Sequence, residues 1–250
     1  MNILVTAGNT IVPIDRVRCI TNVFTGRTGT AIALHCHQRG HTVTLLSSHP
    51  ELVPMLSAHK EPQQRWTVDT YRTFADLREL LASKLSGSSF DVVIHCAAVN
   101  DYEAAGIYAP APGTCFRPEE ALWQIIGPPH APAFVDRSAG KIKSDEPELW
   151  LRLVRTPKLI DLIRSDWGFR GILIKFKLEV GVSELHLLEI AESSRRQSGA
   201  ELMVANTLEG ASSWAMLGPV NGHYERVSRA DLARRLVDAA ERLLKERTGG

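Results

Sequence analysis

The segment Asp91-Val92-Val93-Ile94-His95-Cys96-Ala97-Ala98 decides the fold. Its apolar residues run without alternation, so the strand it predicts is covered on both faces. It closes in small residues, which leave room for a ligand near the backbone. Upstream, Thr73–Ser86 has the spacing of a helix, with Phe74, Leu77, Leu80, Leu81 and Leu85 on one face. Further back come a weak strand at Trp66-Thr67-Val68, a strand at Thr42-Val43-Thr44-Leu45-Leu46, and a helix over Gly26–Gln38 stopped by Gly40. The first apolar run, Ile3–Thr6, ends in Ala7-Gly8-Asn9-Thr10 and a polar loop to about Thr25. Downstream the pattern repeats as strand Gly171–Phe176, helix Ser183–Ser198 and strand Glu201–Ala205. Two late strands, Ser213–Leu217 and His223–Val227, precede a helix over Arg229–Arg247. Strands alternating with helices predict an α/β fold, a mostly parallel sheet with helices on both faces.

Residues 102 to 140 interrupt this rhythm. They hold six of the chain's 13 prolines, with Pro147 just beyond. We read them as a long insertion with a short helix near Glu119–Ile126, and Glu148–Arg164 as partly helical. An insertion of this length serves as a lid or an interface. No repeat and no linker divides the 250 residues, so 1–250 reads as one domain.

Composition excludes several classes. The formal net charge is +1, from 29 basic and 28 acidic residues, which disfavours a nucleic-acid module. No stretch approaches the roughly 20 apolar residues of a membrane span. Met1–Thr6 reads as a strand rather than a signal peptide. Cys19, Cys36, Cys96 and Cys115 have neither C-x-x-C nor zinc spacing, and read as reduced, mostly buried thiols of a cytoplasmic protein. His35, His37 and His41 around Cys36 point to different helix faces, so no metal ligands are assigned. Five of only eight lysines fall between Lys141 and Lys177: a phosphate site, or a solvated face.

In an open parallel sheet, ligands bind beyond the carboxyl ends of the strands. That rule selects Ala7–Thr10, Cys96–Asp101, Lys175–Glu179 and Ala205–Thr207. Gly26-Arg27-Thr28-Gly29 opens a helix, either to bring backbone N–H groups to a phosphate or to make room against the sheet. Asp101 either accepts hydrogen bonds from a ligand or caps a turn. Phe176 either stacks on a base or fills the core.

Taken in order, these segments carry a resemblance. Thr6-Ala7-Gly8-Asn9-Thr10, Pro13-Ile14-Asp15-Arg16-Val17-Arg18 and Ile20-Thr21-Asn22-Val23-Phe24-Thr25-Gly26-Arg27-Thr28-Gly29 closely resemble the N-terminal signature of phosphopantothenoylcysteine synthetases. Ala97-Ala98-Val99-Asn100-Asp101-Tyr102, Lys141-Ile142-Lys143-Ser144, Thr156-Pro157-Lys158, Phe176-Lys177-Leu178-Glu179 and Val204-Ala205-Asn206 follow in the family's order. The resemblance covers about residues 1–245. It implies a Rossmann-like sheet and a cytoplasmic homodimer of the stand-alone type. It also implies a ligase of coenzyme A biosynthesis, joining 4′-phosphopantothenate to cysteine with CTP or ATP and Mg²⁺. In that reading Asn22 holds the carboxylate and its acyl-nucleotide. Gly8, Gly26 and Gly29 let the backbone approach the nucleotide, and Lys141 neutralises its triphosphate. Phe176 and Asn206 line the nucleotide pocket; Ala97, Ala98 and Asp101 line the substrate site.

The chain departs from the pattern at four places. Asn9 replaces a glycine and Phe24 a serine. Ser193–Ser198 lacks the family's lysines, leaving Arg195 or Arg196 as substitutes, and Thr207 follows Asn206 where bacterial members often have Asp. Phe24 and the lysine-poor segment favour an alternative, a related nucleotide- or phosphopantothenate-binding protein without efficient ligation. Asn22, Asp101 and Lys141 oppose it. An NAD(P)-dependent oxidoreductase ranks lower, because neither its glycine-rich turn nor a Tyr-x-x-x-Lys pair is present.

Overall fold

A computed structural model describes residues 1–57, 64–87, 89–127 and 131–249. In chain order its strands are β1 (Asn2–Ala7), β2 (Ile11–Pro13), β3 (Cys19–Thr21), β4 (Thr42–Ser47), β5 (Trp66–Thr70), β6 (Val92–His95), β7 (Tyr102–Pro110) and β8 (Thr114–Arg117). They continue as β9 (Leu122–Ile125), β10 (Phe134–Asp136), β11 (Trp150–Arg155), β12 (Ile172–Glu179), β13 (Leu202–Thr207), β14 (Trp214–Val220) and β15 (His223–Ser228). The helices are α1 (Arg27–Gln38), α2 (Leu52–Leu56), α3 (Phe74–Leu85), α4 (Leu159–Ser165), α5 (Glu184–Gln197) and α6 (Leu232–Thr248). The chain divides into two compact units, one of residues 1–10, 22–99 and 158–250, the other of residues 11–21 and 100–157.

The first unit is built on an eight-stranded sheet in the order β15-β14-β13-β12-β6-β1-β4-β5. Strands β13 to β5 run parallel, and β14 and β15 return antiparallel. The expected α/β fold, a mostly parallel sheet covered on both faces, is therefore the fold found. Alternate residues of each central strand feed opposite cores. Ile3, Val5, Val92, Ile94, Ile172 and Ile174 share one with Ile32 and Cys36 of α1 and Leu236, Val237 and Ala240 of α6. Leu4, Leu46, Val93 and Leu173 share the other with Leu77, Leu81 and Leu85 of α3 and Ile163 of α4. Helix α5 adds Leu187 and Ala191 against Met203 and Ala205. Local signals start these helices. Thr73 caps α3 in a reciprocal box with Asp76, and the Ser183 side chain accepts the His186 N–H at the start of α5.

The second unit corrects the reading of residues 102–140. The insertion is largely strand: β10-β7-β11 form one sheet and β8-β9 a hairpin. The helix expected near Glu119–Ile126 is instead the hairpin's turn and second strand. There Phe116 lies opposite Trp123, ring centroids 5.1 Å apart, and Trp150 and Phe134 join them. This aromatic cluster spans distant segments, and such packing overrides a weak local helix signal. Glu148–Arg164, read as partly helical, is so: strand β11 precedes helix α4. Two of the insertion's prolines, Pro128 and Pro129, lie outside the described residues. The polar loop to Thr25 also contains an unforeseen hairpin, β2-β3. Of the cysteines only Cys36 is fully buried and Cys19 is exposed; all four are free. No helix among the described residues is long and apolar enough to cross a membrane.

Candidate active site

Strand β1 sits inside the sheet, between β6 and β4. The chain leaves it toward β4 and β5, then returns to β6 on its other side. The strand order reverses there, the place where a doubly wound sheet opens a ligand crevice. The tips of β1 and β6 are drawn together past their ends: Ala98 N–H donates to Gly8 O at 2.8 Å, and Asn9 forms a parallel bridge with Ala98. Asn22 docks on the same place, its side-chain amide donating to Ala98 O at 3.0 Å. Gly8, Asn22, Ala97 and Ala98 therefore meet at the switch point.

The glycines have a second task that the sequence left open. Gly26 has φ +89°, and a Cβ there would lie 2.2 Å from Gly8 N. A Cβ on Gly29 would lie 2.8 Å from Ala7 Cβ. Both absences let the start of α1 press onto the tip of β1, so the close approach is first of all to the protein's own backbone. Phe176 packs against the core on the α1 and α6 side, and Asn206 is half-buried near the end of β13. Phe24 is on the exposed stretch before α1, 37% accessible.

Asn9 is a hub. Its N–H donates to Ser48 Oγ at 2.9 Å, its Oδ1 accepts from Ser48 Oγ and faces His49 Nε2 at 3.2 Å, and its Nδ2 donates to Asn22 O at 2.6 Å. A glycine would make none of the side-chain bonds. Beneath the tips, Thr6 Oγ1 accepts from Ala97 N–H and lies 3.1 Å from His95 Nδ1. Burial, reinforced by the Lys175 charge, holds His95 down at about 4, so it stays neutral. Lys175 is buried on β12 beside it. Its Nζ donates to Ser194 O and Oγ at 3.0 Å, in the last turn of α5, and burial brings it down to about 8. Ser193–Ser198 is thus no loop but the end of a helix. Arg195 and Arg196 are both held by Glu192, at 2.8 and 2.7 Å. That pairing keeps the Glu192 carboxyl at about 2, and the two arginines are engaged within their own helix.

In the second unit the Lys141 segment is held by a clamp that sequence reasoning did not single out. Asp15 Oδ1 accepts from Val17 and Arg18 N–H at 2.9 and 2.7 Å. Its Oδ2 accepts from the Arg18 guanidinium at 2.6 Å and from Ile142 N–H at 3.1 Å. Arg18 Nη2 also donates to Ile142 O at 3.0 Å. The Arg18 hydrogen bond is the largest cause holding the Asp15 carboxyl well below the usual carboxylate range. The Pro13–Arg18 and Lys141–Ser144 motifs are therefore one structure, with exposed Lys141 beside the clamped Ile142. Thr156 plays the same part for Asp101: its N–H donates to Asp101 O at 3.0 Å and its Oγ1 to Asn100 O at 2.9 Å. The spacing of Asp15 and Arg18 in a turn, two acceptors followed by a guanidinium, was the available signal.

Residues 1–109 match the model of the DNA/pantothenate metabolism flavoprotein C-terminal domain. The chain is 30% identical over 248 residues, 97% of its length, to the coenzyme A biosynthesis bifunctional protein CoaBC of Thermococcus kodakarensis, and covers 51% of that protein. It thus spans about half the length of that relative. Phosphopantothenate–cysteine ligase 2 of Oryza sativa is 26% identical, with 88% of this chain and 72% of the plant protein covered. The crystal structure of the DNA/pantothenate metabolism flavoprotein from Streptococcus pneumoniae superposes with a TM-score of 0.75 at 27% identity, over 97% of this chain and 99% of that one. The chain is thus similar over nearly its whole length to phosphopantothenoylcysteine synthetases. The chain's departures from that family's pattern have structural consequences of their own. Asn9 ties the Asn22 segment to β4's end through Ser48, and Lys175 brings an ammonium to the part of α5 that carries serines instead of lysines.

Proposed function

We propose that the chain is a phosphopantothenate–cysteine ligase acting as one synthetase domain over residues 1–250, and as a homodimer. The observation that carries this reading is the meeting of Gly8, Asn22, Ala97 and Ala98 at the topological switch point. A carboxylate is a poor acceptor for an amine. Attack of the phosphopantothenate carboxylate on the α-phosphate of CTP or ATP releases pyrophosphate and leaves an acyl-nucleotide anhydride. The cysteine amine then opens that anhydride, releasing the nucleoside monophosphate and forming the amide. No covalent enzyme intermediate is needed. The protein aligns two anions and neutralises charge. Asn22 is the donor for the carboxylate and its acyl-nucleotide, and Asp101 lines the same substrate. Lys141, displayed by the Asp15–Arg18 clamp, is the cation for the triphosphate. Phe176 and Asn206 border the nucleotide.

Among the described residues no group of three or more His, Cys, Asp or Glu converges as a metal cage. Mg²⁺ therefore enters as the counter-ion of the nucleotide's phosphates, the usual way that this ion is bound.

Pyrophosphate release by the purified full chain with phosphopantothenate, cysteine and Mg²⁺, with CTP and ATP tested separately, decides the reading. Release beyond one equivalent per active site that requires both phosphopantothenate and cysteine establishes the ligase and names its nucleotide. A folded protein that binds nucleotide and releases no pyrophosphate with either would be the non-ligating relative that exposed Phe24 favours.

A further inference from the structure

Arg229 stands just before α6, and its guanidinium donates to Thr28 Oγ1 in the first turn of α1. It is half-buried, and among the described residues it has no carboxylate partner. Arg164 and Arg195, also half-buried, each hold a glutamate at 2.8 Å. The surroundings of Arg229 do not offset its charge. Desolvation disfavours the guanidinium, and the neighbouring Cys96 is a neutral thiol, pushed up to about 12 by burial. The first turn of α1 turns the positive end of its helix dipole this way, which adds to a cation instead of cancelling it. Beside the guanidinium lies a cavity of about 220 Å³, bordered by Arg27, Thr28 and Ile32 on one side and Leu56, Arg229 and Leu232 on the other. A second arginine thus borders the same space, with no acid among its lining residues. Among the described residues this half-buried positive site has no carboxylate to balance it. Sequence reasoning assigned Arg229 only to the start of a helix.

We propose that Arg229 and the adjoining cavity form a phosphate-binding subsite for a phosphoryl group of the enzyme's anionic substrates. The choice of substrates rests on the ligase reading above; the subsite itself does not. Phosphate is the fitting chemistry because a guanidinium offers a planar fork of donors to paired oxygens, and Thr28 adds a hydroxyl. Two sources carry such a group, the nucleoside triphosphate and phosphopantothenate.

The test measures binding to the full-length protein by calorimetry, with inorganic pyrophosphate, CTP, ATP and phosphopantothenate as separate probes. Melting temperature is read alongside. Arg229→Gln is expected to weaken at least one of these ligands tenfold or more. Its ligand-free melting point should be unchanged or higher, because an uncompensated buried charge is removed. Arg229→Lys should recover part of the affinity. Loss for pyrophosphate and nucleotide together assigns the subsite to the triphosphate; loss for phosphopantothenate alone assigns it to that phosphate. Unchanged affinity for all four probes overturns the proposal. So does loss of binding together with cooperative melting that Arg229→Lys fails to restore, which would make the residue a structural tie to Thr28. Binding is read without turnover, so an inactive protein with Arg229-dependent phosphate binding would refute the ligase reading and keep the subsite.

Discussion

At the residue scale, Asn22 and Asn9 separate a chemical task from a supporting one. The Asn22 side chain is half-exposed, and its amide donates to Ala98 O. A hydrogen bond of this kind is worth about 1 kcal/mol net. Asn22→Ala should therefore leave the melting temperature within a few degrees and cut pyrophosphate release by roughly a hundredfold or more, as loss of a transition-state donor does. Normal turnover would mean that the carboxylate is held elsewhere. Asn9→Gly restores the family's glycine and removes the side-chain bonds to Ser48, His49 and Asn22. Chemical denaturation should show a loss of about 1–3 kcal/mol. Substrate KM should rise more than kcat falls, because Asn9 positions Asn22 without itself being the donor. Equal stability of the two proteins would count against the hub.

At the scale of elements, the decisive contacts are the helix on the strand tip and the clamp on the Lys141 segment. Gly29→Ala places a methyl 2.8 Å from Ala7 Cβ, with Thr6 O at 3.1 Å. Overpacking of that kind costs about 1–3 kcal/mol. Thermal melting should show the loss, and nucleotide affinity should fall with it as α1 lifts from β1. The Asp15 clamp predicts a pH signature. Its carboxyl is depressed in the folded state, so its stabilisation is complete above the ordinary carboxylate pKa of about 3.9 and is lost as pH falls through the folded value. Wild type and Asp15→Asn should differ in melting temperature at pH 7 and converge in strong acid. A gap that persists unchanged there would show that the ionised carboxylate is not what holds the turn. Lys141→Gln leaves the clamp intact and should weaken nucleotide binding without lowering the melting point; unchanged affinity would remove its triphosphate role.

At the scale of the whole molecule, the two units draw on different kinds of information. The sheet and both its cores were legible in sequence because period and burial coincide: Val92, Val93 and Ile94 are apolar without alternation, and the strand is covered on both faces. The strands and helices of that unit need little beyond their own residues and an apolar face to bury. The second unit was misread because its strands are held by partners far along the chain, Trp123 by Trp150 at 4.6 Å and β7 by β11. The proposed homodimer belongs to this scale too. Sedimentation should give a mass of twice 27.6 kDa at micromolar concentration. A monomer that turns over normally would refute it.

The sequence by itself determined the parallel sheet, the small and polar residues at its strand ends, and the family that these motifs resemble. Each follows from local residue type and spacing. Tertiary structure alone decided that Gly26 and Gly29 are needed by the tip of β1, that Asp15 and Arg18 hold Ile142, and that Arg229 comes to Thr28, 201 positions away in the chain. Such contacts depend on which distant backbone comes within hydrogen-bond or van der Waals reach, and that is fixed only when the sheet is assembled and its helices are packed.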